Sequence, residues 1–131
     1  ACVAAVRRSG LAIDVLVCNA GYAPANLLMA MTPGSMLEEL VRTNIAGSYL
    51  VCREVSKVMV LQKSGRIITT SSMAVGLHEE GTSAYSASKS AVVEMTKIMA
   101  KELAPLGITC NVIAPGFITT DMTQVLIQQG A

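Results

Sequence analysis

Residues 13–21 read IDVLVCNAG, a short apolar run that ends in a glycine-containing turn. A run of this kind marks a strand buried in a parallel sheet, where both faces are covered and polar alternation is lost. Working outward, residues 65–72 (GRIITTSS) form a second such run, rich in β-branched side chains, and residues 107–116 (GITCNVIAPG) a third. Pro115 and Gly116 stop the third strand. Between the first two lies a helical region, 35–63, that opens on Ser35 and Glu38 in a capping-box spacing. Its apolar residues Leu37, Leu40, Val41, Ile45, Leu50, Val51, Val55, Val58 and Met59 recur near the helical period. Between the last two lies a second helix, 82–106, with Ala91, Val92, Met95, Ile98, Met99 and Leu103 on a stripe and Gly107 as its stop. The final residues, TTDMTQVLIQQGA, read as the start of another helix. Strand, helix, strand, helix, strand predicts an α/β fold: a Rossmann-like, doubly wound parallel sheet with helices on both faces. Three strands make it incomplete, and the first strand is expected to keep an unpaired edge. The whole chain, 1–131, therefore reads as one partial domain, with neither end resembling a natural terminus.

Bulk properties narrow the function classes. The chain is 52% hydrophobic and 15% charged, the composition of a globular protein with a sizeable core. A net charge of +1 points to neither nucleic acid nor a strongly acidic partner. Cys2, Cys18, Cys52 and Cys110 stand far apart with one histidine, His78, so buried free thiols are expected and no metal site. No uninterrupted apolar run is long enough to span a bilayer. The basic residues of the first segment follow the apolar ones, the reverse of a signal peptide. These features predict a cytoplasmic protein.

In a doubly wound sheet, ligands bind outside the carboxyl ends of the strands. Those ends here are CNAG, TTSS and APG, small and polar. Beside them, the stretch SAYSASKSAVVEMTK (83–97) places Tyr85 and Lys89 four residues apart, on one helical face. A cation near a phenol stabilises the phenolate. Tyr85 is thereby a candidate proton donor to an oxygen that gains negative charge, and Ser72 a candidate hydrogen-bond donor to that oxygen. Each residue has a plainer reading. Ser72 can bond its own backbone, as its neighbour Ser71 is expected to do. Asn44, a poor helix former, needs a reason to sit inside a helix, either a water-binding kink or a capping role. Asn19 can tie strands together, and Gly21 can be a turn glycine. His78, Glu79 and Glu80 read as a solvated or substrate-lining loop.

Taken together, these residues resemble the short-chain dehydrogenase/reductase family across nearly the whole chain. The motifs that carry the likeness are Asn19-Ala20-Gly21 after a strand, Asn44 in TNIAG, Ser72 thirteen residues before Tyr85, the Tyr85/Lys89 pair, and PGFITTDM after the last strand. The resemblance implies a nicotinamide-dependent oxidoreductase. Asn44, Ser72, Tyr85 and Lys89 would form its catalytic set, with Asn44 holding a water that links Lys89 to solvent. Asn19, Ala20, Gly21, Tyr85, Lys89, Pro115, Gly116, Ile118 and Thr120 would contact the cofactor, Lys89 through the nicotinamide ribose. Within the family, NLLMAM (26–31) and APGFITTDMT are similar to 3-oxoacyl-[acyl-carrier-protein] reductases. That likeness implies NADP(H) in preference to NAD(H), a 3-oxoacyl thioester as substrate, acyl carrier protein as a partner and a homotetramer. Helices 35–63 and 82–106 carry apolar residues around more than one face, consistent with assembly.

Two departures accompany the likeness. Cys18 stands where the family has the first asparagine of N-N-A-G. The Gly-rich turn that holds the cofactor pyrophosphate does not occur in these 131 residues. The sequence therefore leaves open a truncated, inactive product, and a same-family enzyme acting on a sugar, steroid or secondary alcohol.

Overall fold

The computed structural model describes residues 2–118. Thr120 and the last expected helix lie outside the described residues. Three strands, β1 (Val15–Cys18), β2 (Gly65–Thr70) and β3 (Ile108–Ile113), pair in parallel in the order β1-β2-β3. Val15 lies opposite Arg66 and Cys18 opposite Thr69; Gly65 lies opposite Ile108 and Thr70 opposite Ile113. The first strand is shorter than its apolar run. Its Ile13 leaves the ladder because the Gln62 side chain captures that backbone from both sides. The Ile13 N–H donates to Gln62 Oε1 (3.0 Å) and Gln62 Nε2 donates to the Ile13 carbonyl (3.0 Å). β1 has one strand neighbour and an open outer edge among the described residues.

A single helical rod joins β1 to β2. It consists of α2 (Gly34–Leu40), a π-helical segment (Val41–Gly47) and α3 (Ser48–Gln62). The rod begins after Pro33, and no side chain caps it, so the expected capping box at Ser35 does not form. Proline with its fixed φ leads into the helix and lacks only an N–H that would be unsatisfied there. The π segment inserts extra residues per turn and rotates the apolar stripe. Leu40, Cys52, Val55, Val58 and Met59 are buried, whereas Leu37, Val41, Leu50 and Val51 are exposed. A second rod, α5 (Ser83–Leu103), leads through a 3-10 turn at Ala104–Leu106 into β3. Pro105 falls in that turn, and Gly107, at φ 76°, ends it in the left-handed conformation. The described residues also hold two short α-helices, α1 (Cys2–Arg8) and α4 (Ala74–Leu77), and a 3-10 turn at Met29–Met31, none of which the sequence patterning predicted.

Both long rods cover one face of the sheet. Successive parallel crossovers are right-handed, so strands added in one direction, 1-2-3, put both connecting helices on the same side. Among the described residues the helices therefore cover one face of this partial sheet. On the covered face Cys52, Val55 and Met59 of α3 meet Ile67, Ile108 and Cys110 of the sheet, with Met95, Met99 and Leu103 of α5 packed beside them. Each fully buried aliphatic side chain of this kind contributes roughly 1.5–3 kcal/mol. The opposite face presents Val15, Val17 and Ile113 to solvent, at 55, 57 and 48% exposure. The strands' carboxyl ends gather at one rim, which is where the polar cluster lies.

Candidate active site

The cluster is built from the rim upward. After β1, Asn19 turns out of the sheet, and Thr70 Oγ1 of the neighbouring strand donates to its Oδ1 (3.0 Å), so its amide does tie strand ends together. Ala20 is exposed. Gly21 then passes close to α5: a Cβ there would lie 3.1 Å from Lys89 Nζ and 3.5 Å from Asn44 Oδ1. A Cβ at that distance would crowd the ammonium, and glycine leaves the space to it.

Asn44 sits in the middle of the π segment, wholly buried. Its carboxamide grips the backbone of Tyr22. The Tyr22 N–H donates to Oδ1 (2.7 Å), and Nδ2 donates to the Tyr22 carbonyl (2.9 Å) and to Ser88 Oγ (3.0 Å). Wide helical turns of this type are rare and recur at functional sites; here the turn carries a buried amide that makes three hydrogen bonds. The capping alternative for Asn44 is excluded, because the residue is interior to the rod.

After β2, Ser71 and Ser72 bond different backbone groups, Ser71 one on α5 and Ser72 one in its own turn. Ser71 Oγ, buried, donates to the Lys89 carbonyl (3.1 Å), while Ser72 Oγ accepts the N–H of Ala74 (3.2 Å) in a local turn. Ser86 Oγ donates to the Ala74 carbonyl (3.2 Å). The turn bearing Ser72 is thereby pinned on either side to α5, at Lys89 and at Ser86, both just after Tyr85 in the helix. The segment after β3 docks on the same turn. The Met73 N–H donates to the Pro115 carbonyl (3.0 Å), and a Cβ on Gly116 would lie 3.2 Å from Met73 Sδ. Ile118 is exposed. His78, Glu79 and Glu80 are exposed in the loop before α5, with His78 at φ 55°. Among the described residues no group of three or more His, Cys, Asp or Glu side chains is placed to hold a metal ion.

Tyr85 and Lys89 meet as their spacing predicted: Lys89 Nζ lies 5.9 Å from the Tyr85 ring centroid. Lys89 is 5% exposed, and its ammonium donates to the Thr70 carbonyl at the end of β2 (3.0 Å). Burial holds that ammonium below lysine's ordinary range, with the nearby Cys18 pulling the other way. Cys18 is lowered in turn, chiefly by a hydrogen bond from Cys52, with smaller help from Ser48 and Lys89 and against the effect of burial; Cys52 is raised. An ammonium has three protons to donate. The carbonyl of Thr70 takes one, so the site suits a ligand with hydroxyl acceptors, as the ribose of a nicotinamide nucleotide has. The bare Gly21 beside it leaves the approach open.

Ser88 is the participant that the sequence reading missed. Its only signal is a small hydroxyl residue directly before the lysine, in YSASK, and many helical serines look the same.

Comparison with known proteins places this geometry in a family. The short chain dehydrogenase family profile matches residues 1–130. The chain belongs to the short-chain dehydrogenase/reductase family of oxidoreductases. It is 46% identical over 114 residues to a 3-oxoacyl-[acyl-carrier-protein] reductase of Synechocystis sp., covering 87% of this chain and 46% of that protein. It is 41% identical to the 3-oxoacyl-[acyl-carrier-protein] reductase FabG of Vibrio harveyi, covering 88% of this chain and 47% of that protein. Among solved structures, a gluconate 5-dehydrogenase from Burkholderia cenocepacia in complex with NADP and tartrate superposes with a TM-score of 0.92 at 29% identity, over 98% of this chain and 50% of the other. An NAD+-bound xylitol dehydrogenase superposes with a TM-score of 0.87 at 34% identity, over 98% and 51%. The chain thus spans about half the length of the relatives it matches. No helix among the described residues is long and apolar enough to cross a membrane.

Proposed function

We propose that this chain carries the catalytic segment of a cytoplasmic, NADP(H)-preferring carbonyl reductase that converts a 3-oxoacyl thioester to a 3-hydroxyacyl thioester. The observation that carries the reading is the buried Lys89 ammonium beside Tyr85, at the rim where all three strands end. When bound, the reduced nicotinamide supplies a hydride to the substrate carbonyl carbon. The protein's task is to receive the negative charge that then develops on oxygen. Tyr85 donates its phenolic proton to that oxygen, and Lys89 stabilises the phenolate left behind. The Ser72 hydroxyl proton remains free to point at the same oxygen, since its Oγ acts as acceptor toward Ala74. Lys89 would also hold the nicotinamide ribose, and Asn19, Ala20, Gly21, Pro115, Gly116 and Ile118 would frame the nucleotide, with Thr120 assigned to it by the family resemblance alone. Asn44 Oδ1 accepts one bond and keeps a second lone pair beside the space left by Gly21. A water held there would return a proton from solvent to Lys89.

The 3-oxoacyl substrate, its acyl carrier protein and the choice of NADP(H) rest on relatives that are 39–46% identical and named 3-oxoacyl-[acyl-carrier-protein] reductases. A second reading, oxidation or reduction of a polyol or sugar acid, is favoured by the similarity to the xylitol and gluconate dehydrogenases. A substrate panel with the full-length protein separates them. An acetoacetyl thioester, xylitol and gluconate are offered with NADPH or NADH and their oxidised forms. Fastest turnover is expected for the thioester with NADPH. The Tyr85→Phe variant should lose at least about a hundredfold in kcat while still binding NADPH, the scale of a missing general acid. Turnover near the parental rate in that variant would remove Tyr85 from the role.

A further inference from the structure

We propose that Ser88 is a positioning residue for the reaction read above, a latch that locks the buried Asn44 carboxamide to the turn of α5 carrying Tyr85 and Lys89. The inference rests on that functional reading for its consequence and on hydrogen-bond geometry for its substance. Ser88 is wholly buried and sits between two groups with opposite demands. Its Oγ accepts a proton from Asn44 Nδ2 (3.0 Å), and its own hydroxyl proton goes to the Tyr85 carbonyl (2.7 Å). A continuous path results, buried at its centre: Tyr22 backbone, Asn44 carboxamide, Ser88 hydroxyl, Tyr85 carbonyl. It joins three elements that are far apart in sequence, namely the turn after β1, the π segment and α5.

The direction of each bond matters. The Ser88 proton is committed to Tyr85, so toward Asn44 the hydroxyl can only accept. Without it, one Asn44 amide proton faces an apolar gap, and a buried donor left unpaired is relieved by a rotated side chain or by entering water. Asn44 borders the space that holds the Lys89 ammonium. Water or displacement at that point therefore reaches the groups doing chemistry. The charged and titratable groups facing Lys89 there are Cys18 from β1 and Tyr85 from α5 itself.

The test uses the full-length protein, with Ser88→Ala compared against Ser90→Ala on the same helix. Ser90→Ala should behave as the parent. Ser88→Ala should lower kcat about tenfold or more with little change in the substrate KM, as expected when reacting groups are displaced by a fraction of an ångström. The alkaline limb of its rate profile should move up, because water beside Lys89 relieves the burial that depresses it. In an Asn44→Ala background, Ser88→Ala should produce no further shift of that limb. Independently of activity, the Asn44 side-chain amide protons should exchange slowly in the parent and fast in Ser88→Ala, read by nitrogen–proton correlation NMR. An unmoved limb in Ser88→Ala, or effects of the two substitutions that simply add, would overturn the proposal. A parent without reductase activity would defeat the functional reading instead, and the amide-exchange result would then decide the latch by itself.

Discussion

Lys89 shows what a buried cation costs. A lysine that is 5% exposed with one carbonyl partner has given up most of its hydration. Burial lowers its pKa in the folded state, whereas the unfolded chain returns it to about 10.4. Between those two values the unfolded state binds more protons, so stability rises with pH across that window. Below the window the full cost of the buried charge is present. Lys89→Met should therefore stabilise the fold at neutral pH, by on the order of 1 kcal/mol after loss of the bond to Thr70. The advantage should shrink as pH climbs toward 10, as thermal denaturation over a pH series would show. The same variant should bind cofactor weakly and lose nearly all turnover. A variant less stable than the parent at pH 7 would mean that the bond to Thr70 outweighs the desolvation of the charge.

At the scale of elements, the two helix-to-strand turns solve one problem with different residues. The rod before β2 ends at Lys63, with φ 55°, and the rod before β3 at Gly107, with φ 76°. Left-handed backbone costs an L-residue about 1–2 kcal/mol, and glycine nothing. At Gly107 space is short as well, since a Cβ would sit 2.7 Å from the Lys63 backbone oxygen. The two turns thus pack on each other. Gly107→Ala should destabilise the fold by about 2 kcal/mol or more, and Lys63→Gly should stabilise it by up to about 1 kcal/mol. Denaturant titration of both variants checks the pair. The π segment is the converse case, a widened turn found where Asn44 reaches both Tyr22 and Ser88.

For the whole molecule, the outward sides of the two rods matter most. Tyr49, Leu50 and Val51 of α3 and Ile98 of α5 are 43–56% exposed. Between the rods runs a groove of about 330 Å³ lined by Ile45, Tyr49, Met95, Ile98, Met99 and Leu103, with Arg53 and Glu102 at its polar side. Exposed apolar side chains along two adjacent helices mark an association surface. We propose that this face joins copies of the full-length protein, and that a homotetramer results. Sedimentation at micromolar concentration should report a tetramer, and Tyr49→Glu combined with Ile98→Glu should reduce it to smaller species. A compact monomer from the parent would refute this assignment.

Local chemistry was enough to find the three strands, both long rods, the glycine stop at residue 107 and the Tyr85–Lys89 pair, because each depends on neighbours within a few positions. Apolar runs bury themselves, a left-handed turn selects glycine, and residues four apart on a helix share a face. What the local pattern could not contain was set by contacts between distant segments. Ser71 and Ser72 look alike in the chain, yet only the approach of α5 decides which hydroxyl it takes. The capping box at Ser35 met every local requirement and lost to the proline before it. Both rods fell on one face because crossover handedness acts on strand order, a property of the assembled sheet. The π turn, the burial of Lys89 and the Asn44–Ser88 latch exist only once three separate segments close around the strand ends, since a buried polar group must be satisfied by whatever the fold brings within reach.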